Sequence, residues 1–329
     1  MNSLVSVYSH GFHNTVAPLL NSLILTGTST TGSTNNIAYT TNGINYTLYT
    51  AGGAVGTLGT CGITGFNGNF ITSSTGLYST NGGTTWSTSV ALGGNQNNGA
   101  CYFNGKFFTG GYNATGIYYS TNPSVSWTLL SVPTLNSLGG MFACTLNGTP
   151  IAFAFQGNIA SGQYLIYYST DGTTWTGTSL YGTNFTGGGW NWVGYNNQFG
   201  SSGSMVICTG GTSAAYTTNG STWTNCTFSP ALITGNYIRG VAYGNGLWML
   251  INGVASTIYT STNGTAFNTT ITSPLTSAKT ISYVNGTWVI AGGVNSNVNN
   301  AYYSTNNGTS WTALSLSIGE ITGSSNAKY

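Results

Sequence analysis

The sequence predicts an all-β fold, and two observations carry this prediction. A short phrase of the type Tyr-Ser/Thr-Thr-Asn-Gly, closed a few residues later by an aromatic residue, occurs in seven variant copies, and the closing aromatics are 40 to 48 residues apart. Between the copies, short apolar runs are separated by Gly and Asn, and no stretch has a convincing 3.6-residue apolar period. A repeat of this length with strand-like content is typical of a propeller or a solenoid. We therefore predict a seven-bladed β-propeller of four-stranded antiparallel blades.

The repeat that begins at Arg239 shows the four predicted strands of one blade. They cover residues 241–243, 247–251, 256–261 and 267–271. Asn245-Gly246 lies between the first two strands, and this dipeptide favours a tight hairpin because both residues tolerate a positive φ. The same dipeptide recurs between apolar runs at positions 67, 104 and 285. Each repeat thus predicts two hairpins that form one blade.

The repeats predict a single propeller domain over residues 1–329. The approximate blades are 1–56, 57–96, 97–136, 137–184, 185–232, 233–276 and 277–317, and residues 318–329 are a candidate for the strand that closes the ring. Residues 319–323 resemble residues 62–65 at the start of the second repeat, which favours this role. Residues 4–8 are a competing candidate for the same strand. Closure would hide edge strands that otherwise pair with other chains.

The chain has very few charged side chains. Only 2% of its 329 residues are charged, and the net charge is +2. The four cations are scattered without a basic stripe, so we expect no nucleic-acid partner. No apolar run is long enough to cross a membrane, and no signal peptide is recognisable at the N-terminus, so we expect no membrane insertion. A surface of Ser, Thr, Asn, Gly and Tyr is suited to dense assembly or to glycan contact, because short side chains lose little entropy on binding.

The recurring phrase resembles the Asp-box, or BNR repeat, Ser/Thr-x-Asp-x-Gly-x-Thr-Trp. The segment from Ser79 to Trp86 matches it at full length with Asn for Asp, and the segment from Ser169 to Trp175 keeps the Asp but is one residue shorter. Families with this motif include sialidases, Vps10 domains of sortilins and a photosystem II assembly factor. The resemblance implies that each copy, called a box turn below, folds the turn between the third and fourth strands, away from the ligand face. The residues assigned this structural role are Asn42, Asn81, Trp86, Asn122, Trp127, Asp171, Trp175, Asn219, Trp223, Asn263, Phe267, Asn306 and Trp311.

A sialidase-like active site cannot be assembled from this sequence. It would need an arginine cluster, a Tyr/Glu nucleophile pair and a general acid, but the chain has one arginine, Arg239, and one glutamate, Glu320. The single aspartate, Asp171, lies in a box turn. His10 and His13 are too few ligands for a metal site. We therefore expect a protein without enzymatic activity, metal or cofactor.

The five cysteines do not form a recognisable framework. Their number is odd and no Cys-x-x-Cys pair occurs, so neither a zinc knuckle nor a set of disulfides is indicated. Cys101 and Cys144 occupy a repeat position that elsewhere holds Ala or Ser. We expect both to be small buried packing residues.

Candidate binding residues lie in the variable connections of the predicted blades, on the face opposite the box turns. They are Tyr112, Trp190, Trp192, Asn295 and Asn297. Trp190 has no counterpart in the other repeats, and it can stack on a sugar ring, anchor a protein contact or plug the end of the ring.

These observations leave three function classes. We expect a structural or assembly module on the surface of a virion, phage tail or extracellular fibre, whose partners are other structural proteins or copies of itself. The second class is a lectin-like propeller that binds glycans. The third class is a degenerate glycosidase.

Overall fold

The computed structural model of the protein describes most of the chain in separate segments. These are residues 21–27, 37–50, 63–66, 69–72, 77–81, 85–88, 97–111, 116–132, 138–156, 164–180, 192–196, 203–210, 212–232, 238–253, 256–292, 301–316, 318 and 321–328. Within these segments all extended regular structure is β-strand, as predicted. No helix of the described residues is long and apolar enough to cross a membrane.

The strands form seven four-stranded antiparallel sheets, numbered here along the chain. The first sheet contains β1 (Asn21–Gly27), β2 (Ile37–Thr40), β3 (Thr47–Tyr49) and β30 (Ile321–Lys328). The second sheet contains β4 (Ile63–Phe66), β5 (Asn69–Thr72), β6 (Leu77–Ser79) and β7 (Ser87–Thr88). The third contains β8 (Asn97–Phe103), β9 (Lys106–Gly111), β10 (Gly116–Ser120) and β11 (Thr128–Ser131). The fourth contains β12 (Leu138–Leu146), β13 (Thr149–Gln156), β14 (Tyr164–Ser169) and β15 (Thr176–Leu180). The fifth sheet contains β16 (Trp192–Tyr195), β17 (Val206–Gly210), β18 (Ser213–Thr217) and β19 (Thr224–Asn225). The sixth contains β21 (Ile238–Gly244), β22 (Leu247–Asn252), β23 (Thr257–Ser261) and β25 (Thr269–Thr272). The seventh contains β26 (Ala278–Val284), β27 (Thr287–Gly292), β28 (Ala301–Ser304) and β29 (Thr312–Leu314). The remaining short strands, β20 (Thr227–Phe228) and β24 (Ala266–Phe267), pair with each other in parallel.

In four sheets the described turn between the first two strands is an Asn-Gly pair. Both residues have a positive φ, for example 47° at Asn147 and 82° at Gly148. The same holds at Asn104-Gly105, Asn245-Gly246 and Asn285-Gly286. Asparagine and glycine tolerate this region best, so the dipeptide fixes the hairpin locally.

The C-terminal segment adds the fourth strand to the first sheet. β30 pairs antiparallel with β1, from Asn21 opposite Lys328 to Thr26 opposite Gly323. The competing N-terminal candidate, residues 4–8, lies outside the described residues.

The sheets pack in series, with their first strands next to one another. The first strand of each sheet from the second to the seventh contacts the first strand of the next sheet, and β30 contacts both β26 and β4. The apolar core lies between these neighbouring sheets. One cluster joins Phe153 of the fourth sheet to Val206 of the fifth, and another joins Met249 of the sixth sheet to Trp288 of the seventh. Trp248, in a third cluster between the fifth and sixth sheets, and Trp288 are buried packing residues.

The sixth sheet differs from the prediction at its outer strand. We predicted a fourth strand over residues 267–271, but β25 begins only at Thr269. Phe267 instead belongs to β24, where its ring stacks on Phe228 at a centroid distance of 5.4 Å. This pairing covers the ring of Phe267, which is fully buried, and ties the end of the fifth sheet to the sixth.

Candidate functional site

The box turn around Asp171 shows how the recurring phrase folds. The backbone N–H groups of Thr173 and Thr174 each donate to Asp171 Oδ1 at 2.7 Å. The hydroxyl of Ser169 also donates to this oxygen, and Gly172 N donates to Ser169 Oγ at 2.8 Å. These bonds hold the pKa of the Asp171 carboxyl well below its ordinary value, and the bond from the Thr173 backbone has the largest effect. The only described acidic side chain is therefore an ionised part of a turn.

The asparagines of the other box turns use the amide oxygen in the same way. Asn42, Asn219 and Asn263 each accept two backbone N–H groups at 2.9 or 3.0 Å. Asn81 and Asn306 accept the N–H four residues later, because their turns are one residue longer. The remaining copy has a proline after its asparagine, and Asn122 accepts from Ser124 N at 3.1 Å.

The aromatic residue that closes a box turn packs against the preceding sheet where the described contacts place it. Trp175 lies edge-on to Phe108 with ring centroids 5.9 Å apart, and Trp223 lies edge-on to Phe153 at 5.7 Å. Trp311, Trp127 and Phe267 pack in the equivalent clusters. Trp86 lies 6.4 Å from Phe70 of its own sheet. All of these aromatics except Trp86 are thus parts of the core between sheets.

The Asn-Gly hairpins bind the box turns of the next sheet, an interaction that the sequence analysis missed. Asn147 Nδ2 donates to the carbonyl oxygen of Thr218 at 2.7 Å, and Asn104 Nδ2 donates to that of Asp171 at 3.1 Å. Asn285 Nδ2 donates to Thr41 O at 2.7 Å. In the sixth sheet, Asn245 Nδ2 donates to Asn307 Oδ1 at 3.2 Å. The hairpins and box turns therefore form one tied edge of the sheets, called the box edge below.

The candidate binding residues cannot be compared with their predicted places. Tyr112, Trp190, Asn295 and Asn297 lie outside the described residues. Trp192 begins β16, so its backbone lies at the edge opposite the box edge, but its side chain is not described. These five assignments stay predictions.

The edge opposite the box edge carries a feature that the sequence analysis did not find. In the sixth sheet, Ile238 pairs with Asn252 and Gly240 with Ile251, so Arg239 is an extra residue in a β-bulge. In the seventh sheet, Ala278 pairs with Gly292 and Thr280 with Ala291, so Lys279 is the extra residue at the same place. Sheets three and four have the same bulge at positions 98 and 139. We call this edge of the sheets the bulge edge. In the sequence, the only sign of the bulges is that the four extra residues occupy the same position of the repeat.

The described cysteines have packing surroundings rather than reactive ones. Cys101, Cys208 and Cys226 are buried, and Cys144 is half-buried. Burial raises the pKa of all four thiols, so they stay protonated near neutral pH. Cys61 lies outside the described residues, as do His10 and His13. Among the residues that are described, no three His, Cys, Asp or Glu side chains come together as metal ligands would.

Solved structures share this fold at low sequence identity. No protein-family model and no curated protein matches the chain. A structure of YCF48 bound to D1 peptide is 14% identical with a TM-score of 0.53, over 78% of this chain and 81% of that one. An ancestral GH74 enzyme is 15% identical with a TM-score of 0.59, over 78% of this chain but only 38% of its own. Sqt1 of Saccharomyces cerevisiae is 11% identical with a TM-score of 0.56, over 87% and 82%. These likenesses confirm a β-propeller fold.

Proposed function

We propose that the seven sheets are the blades of one closed propeller. The series of contacts between first strands returns from β26 to β30, and β30 belongs to the first sheet. The bond from Asn285 Nδ2 to Thr41 O joins the seventh sheet to the first in the way that other hairpins join consecutive sheets. The seventh and first sheets also share an apolar core, in which Val284 and Leu25 belong to one cluster, and this supports the same closure.

We infer that this propeller is a structural or assembly module that binds other proteins or copies of itself. The observation that carries this function is the near absence of charged side chains, with four cations and two acids in the whole sequence. Little repulsion then opposes close approach of a neighbour. A similar fold, that of YCF48, has been seen bound to D1 peptide, which supports a protein ligand. The surface of a virion, phage tail or extracellular fibre is the setting that this composition favours.

The inference includes the absence of catalytic activity. Asp171 is held ionised by its own turn, so it is a poor proton donor at neutral pH. It also lies at the box edge, whereas Arg239 lies at the bulge edge. Glycan binding by the aromatic residues of the variable face stays a prediction, since Trp190 lies outside the described residues.

Light scattering after size exclusion, across protein concentration and salt, tests the proposed function. We expect assemblies that grow with concentration and persist in high salt, because uncharged contacts are little screened. Leu129 on the outer strand β11 is 49% exposed, so Leu129→Glu is a suitable disrupting variant. Thr128→Glu adds the same charge one residue away without removing an apolar group. A wild-type monomer at every concentration would contradict self-assembly.

A further inference from the structure

Asn-Gly pairs occur in both kinds of turn at the box edge, and asparagine is chemically labile in this dipeptide. The backbone nitrogen of the glycine can attack Cγ of the asparagine, because the glycine has no Cβ atom to hinder the approach. The nitrogen gives its proton to solvent, the Cγ–Nδ2 bond breaks, and Nδ2 takes up a proton and leaves as ammonia. Water then opens the succinimide ring to aspartate or isoaspartate. This deamidation needs a glycine N–H that is free to lose its proton, and space for the ring.

The box turns meet neither requirement. Gly220 N donates to Thr217 Oγ1 at 2.8 Å, and Gly264 N donates to Ser261 Oγ at 2.9 Å. A Cβ atom on either glycine would overlap a neighbouring side chain, so a succinimide ring has no space there. The asparagine before each glycine is also held, because its Oδ1 accepts two backbone N–H groups. These turns must open before their asparagines can react.

The hairpins at Asn104 and Asn245 meet both requirements. Neither Gly105 N nor Gly246 N donates a hydrogen bond to any part of the chain that the structure describes. Both glycines are exposed, and a Cβ atom on either would meet no atom within 4 Å. The glycine nitrogen can therefore lose its proton to solvent, and the ring can form without displacing a neighbour.

We propose that Asn104 and Asn245 are modification sites, at which the folded protein deamidates before its box turns do, and that the reaction breaks bonds that tie the box edge. Asn104 Nδ2 donates to the carbonyl oxygen of Asp171 at 3.1 Å, and Asn245 Nδ2 donates to Asn307 Oδ1 at 3.2 Å. Loss of ammonia removes this nitrogen, and the ionised product has only acceptors, so both bonds are lost. At Asn104 the new negative charge also arises beside the turn of ionised Asp171, where like charges repel.

Peptide mapping of the folded, full-length protein tests these sites. The protein is incubated in mildly alkaline buffer and digested with chymotrypsin, and mass spectrometry follows the conversion of amide to acid. Cleavage after aromatic residues and leucine places Asn104, Asn245 and the box-turn residues Asn219 and Asn263 in four different peptides. We expect the two hairpin sites to convert at least about tenfold faster, because a box turn must first break its glycine hydrogen bond and its packing. A sample taken at zero time corrects for conversion during digestion.

The same protein unfolded in guanidinium chloride is the matched control for the sites. All four asparagines are followed by glycine, so their rates in the unfolded chain should be similar. A double variant, Asn104→Gln with Asn245→Gln, is the control for the consequence, because glutamine does not readily form the five-membered ring. The urea midpoint of the wild type should fall as the hairpins convert, whereas that of the double variant should stay at its starting value.

Three results of the mapping would overturn the sites. They are equal rates at hairpins and box turns in the folded protein, faster conversion in the box turns, and no conversion at Asn104 and Asn245 while the unfolded chain converts. A urea midpoint that is unchanged after both hairpins have converted would overturn the loss of stabilising bonds at the box edge. Mapping of the wild type decides the sites even if the double variant does not fold.

Discussion

The box turns and the Asn-Gly hairpins lie at the same edge of the sheets and share a dipeptide, but they use asparagine in opposite ways. In the box turn of the fifth sheet, Asn219 accepts two backbone N–H groups of its own turn through Oδ1. In the hairpin of the fourth sheet, Asn147 has a φ of 47° and donates through Nδ2 to Thr218 of that box turn. The first role needs an acceptor, which Asp also supplies, as at Asp171. The second role needs a donor, which Asp lacks.

The same pair of sheets also shows how differently the two turns are packed. A Cβ atom on Gly220 of the box turn would overlap Ile151 of the preceding sheet, whereas a Cβ atom on Gly148 of the hairpin would meet no atom within 4 Å. Trp223 continues the box turn into the core between the sheets. The box turn is thus part of the core between the sheets, whereas the hairpin lies at the surface and is joined to the box turn by a hydrogen bond.

The largest expected effect comes from removing the apolar part of the box turn. Trp223→Ala should lower the free energy of unfolding by about 2 to 4 kcal/mol, since the edge contacts with Phe153 and Phe155 are lost. Trp223→Phe should cost much less, because the indole N–H is buried without a described partner and an aromatic ring is kept. Urea denaturation of both variants measures the difference. Equal losses would mean that the aromatic ring kept in Trp223→Phe does not carry the stabilisation.

Alanine at the two glycines separates backbone strain from packing. Both have nearly the same φ, 81° at Gly220 and 82° at Gly148, so each substitution costs about 1 to 2 kcal/mol of strain. Gly220→Ala should cost about 1 to 3 kcal/mol more, because its Cβ would overlap Ile151 Cδ1. Thermal and urea unfolding compare the two. The contrast between the turns fails if Gly148→Ala is as destabilising as Gly220→Ala.

Asp substitutions test the donor and acceptor roles directly. Asn147→Asp should cost about 1 kcal/mol at pH 7, because it removes the donor to Thr218 O and sets a carboxylate beside that carbonyl. Asn219→Asp should be neutral or slightly stabilising, as both backbone donors keep their acceptor. Asn147→Gln and Asn219→Gln, which lengthen the side chain without changing charge, are the controls for geometry. Destabilisation of the same size by both Asp variants would refute the assignment of roles.

The smallest effect is a pH dependence at Asp171. Its pKa is lower in the folded state than in the unfolded chain, so the carboxylate adds stability above about pH 4 that is lost as the pH falls further. Asp171→Asn should therefore be slightly less stable than the wild type at pH 7, with the gap closing towards pH 3. Unfolding curves at both pH values check this. A gap that widens in acid would give the wrong sign.

The local chemistry of the turns could be predicted from the sequence, but their long-range partners could not. The hairpin at Asn245-Gly246 follows from the φ preferences of its own two residues. The partner of Asn147, Thr218, lies 71 residues away, and a repeat length does not say which turn a side chain reaches. The pairing of Phe228 with Phe267 was missed because two-residue strands have no measurable period.

The candidate site shows the same limit more strongly. The bulges at Arg239 and Lys279 shift the pairing of the first strand with the second by one residue. This shift cannot be recognised in the sequence, because Gly and Thr already interrupt the alternation of apolar residues in these strands. The cations themselves were visible in the sequence, but they were judged scattered because they are 40 positions apart. Only the stacking of neighbouring repeats makes their two strands, β21 and β26, neighbours.

The pairing of β30 with β1 has a mechanical consequence. Asn21 pairs with Lys328, so the start of β1 and the end of β30 lie at the same end of the ladder. Tension applied between these residues loads the hydrogen bonds one after another, as in opening a zipper, rather than all at once in shear. The first sheet should therefore yield at low force, while tension applied across the tied box edge must break side-chain clasps and aromatic packing together.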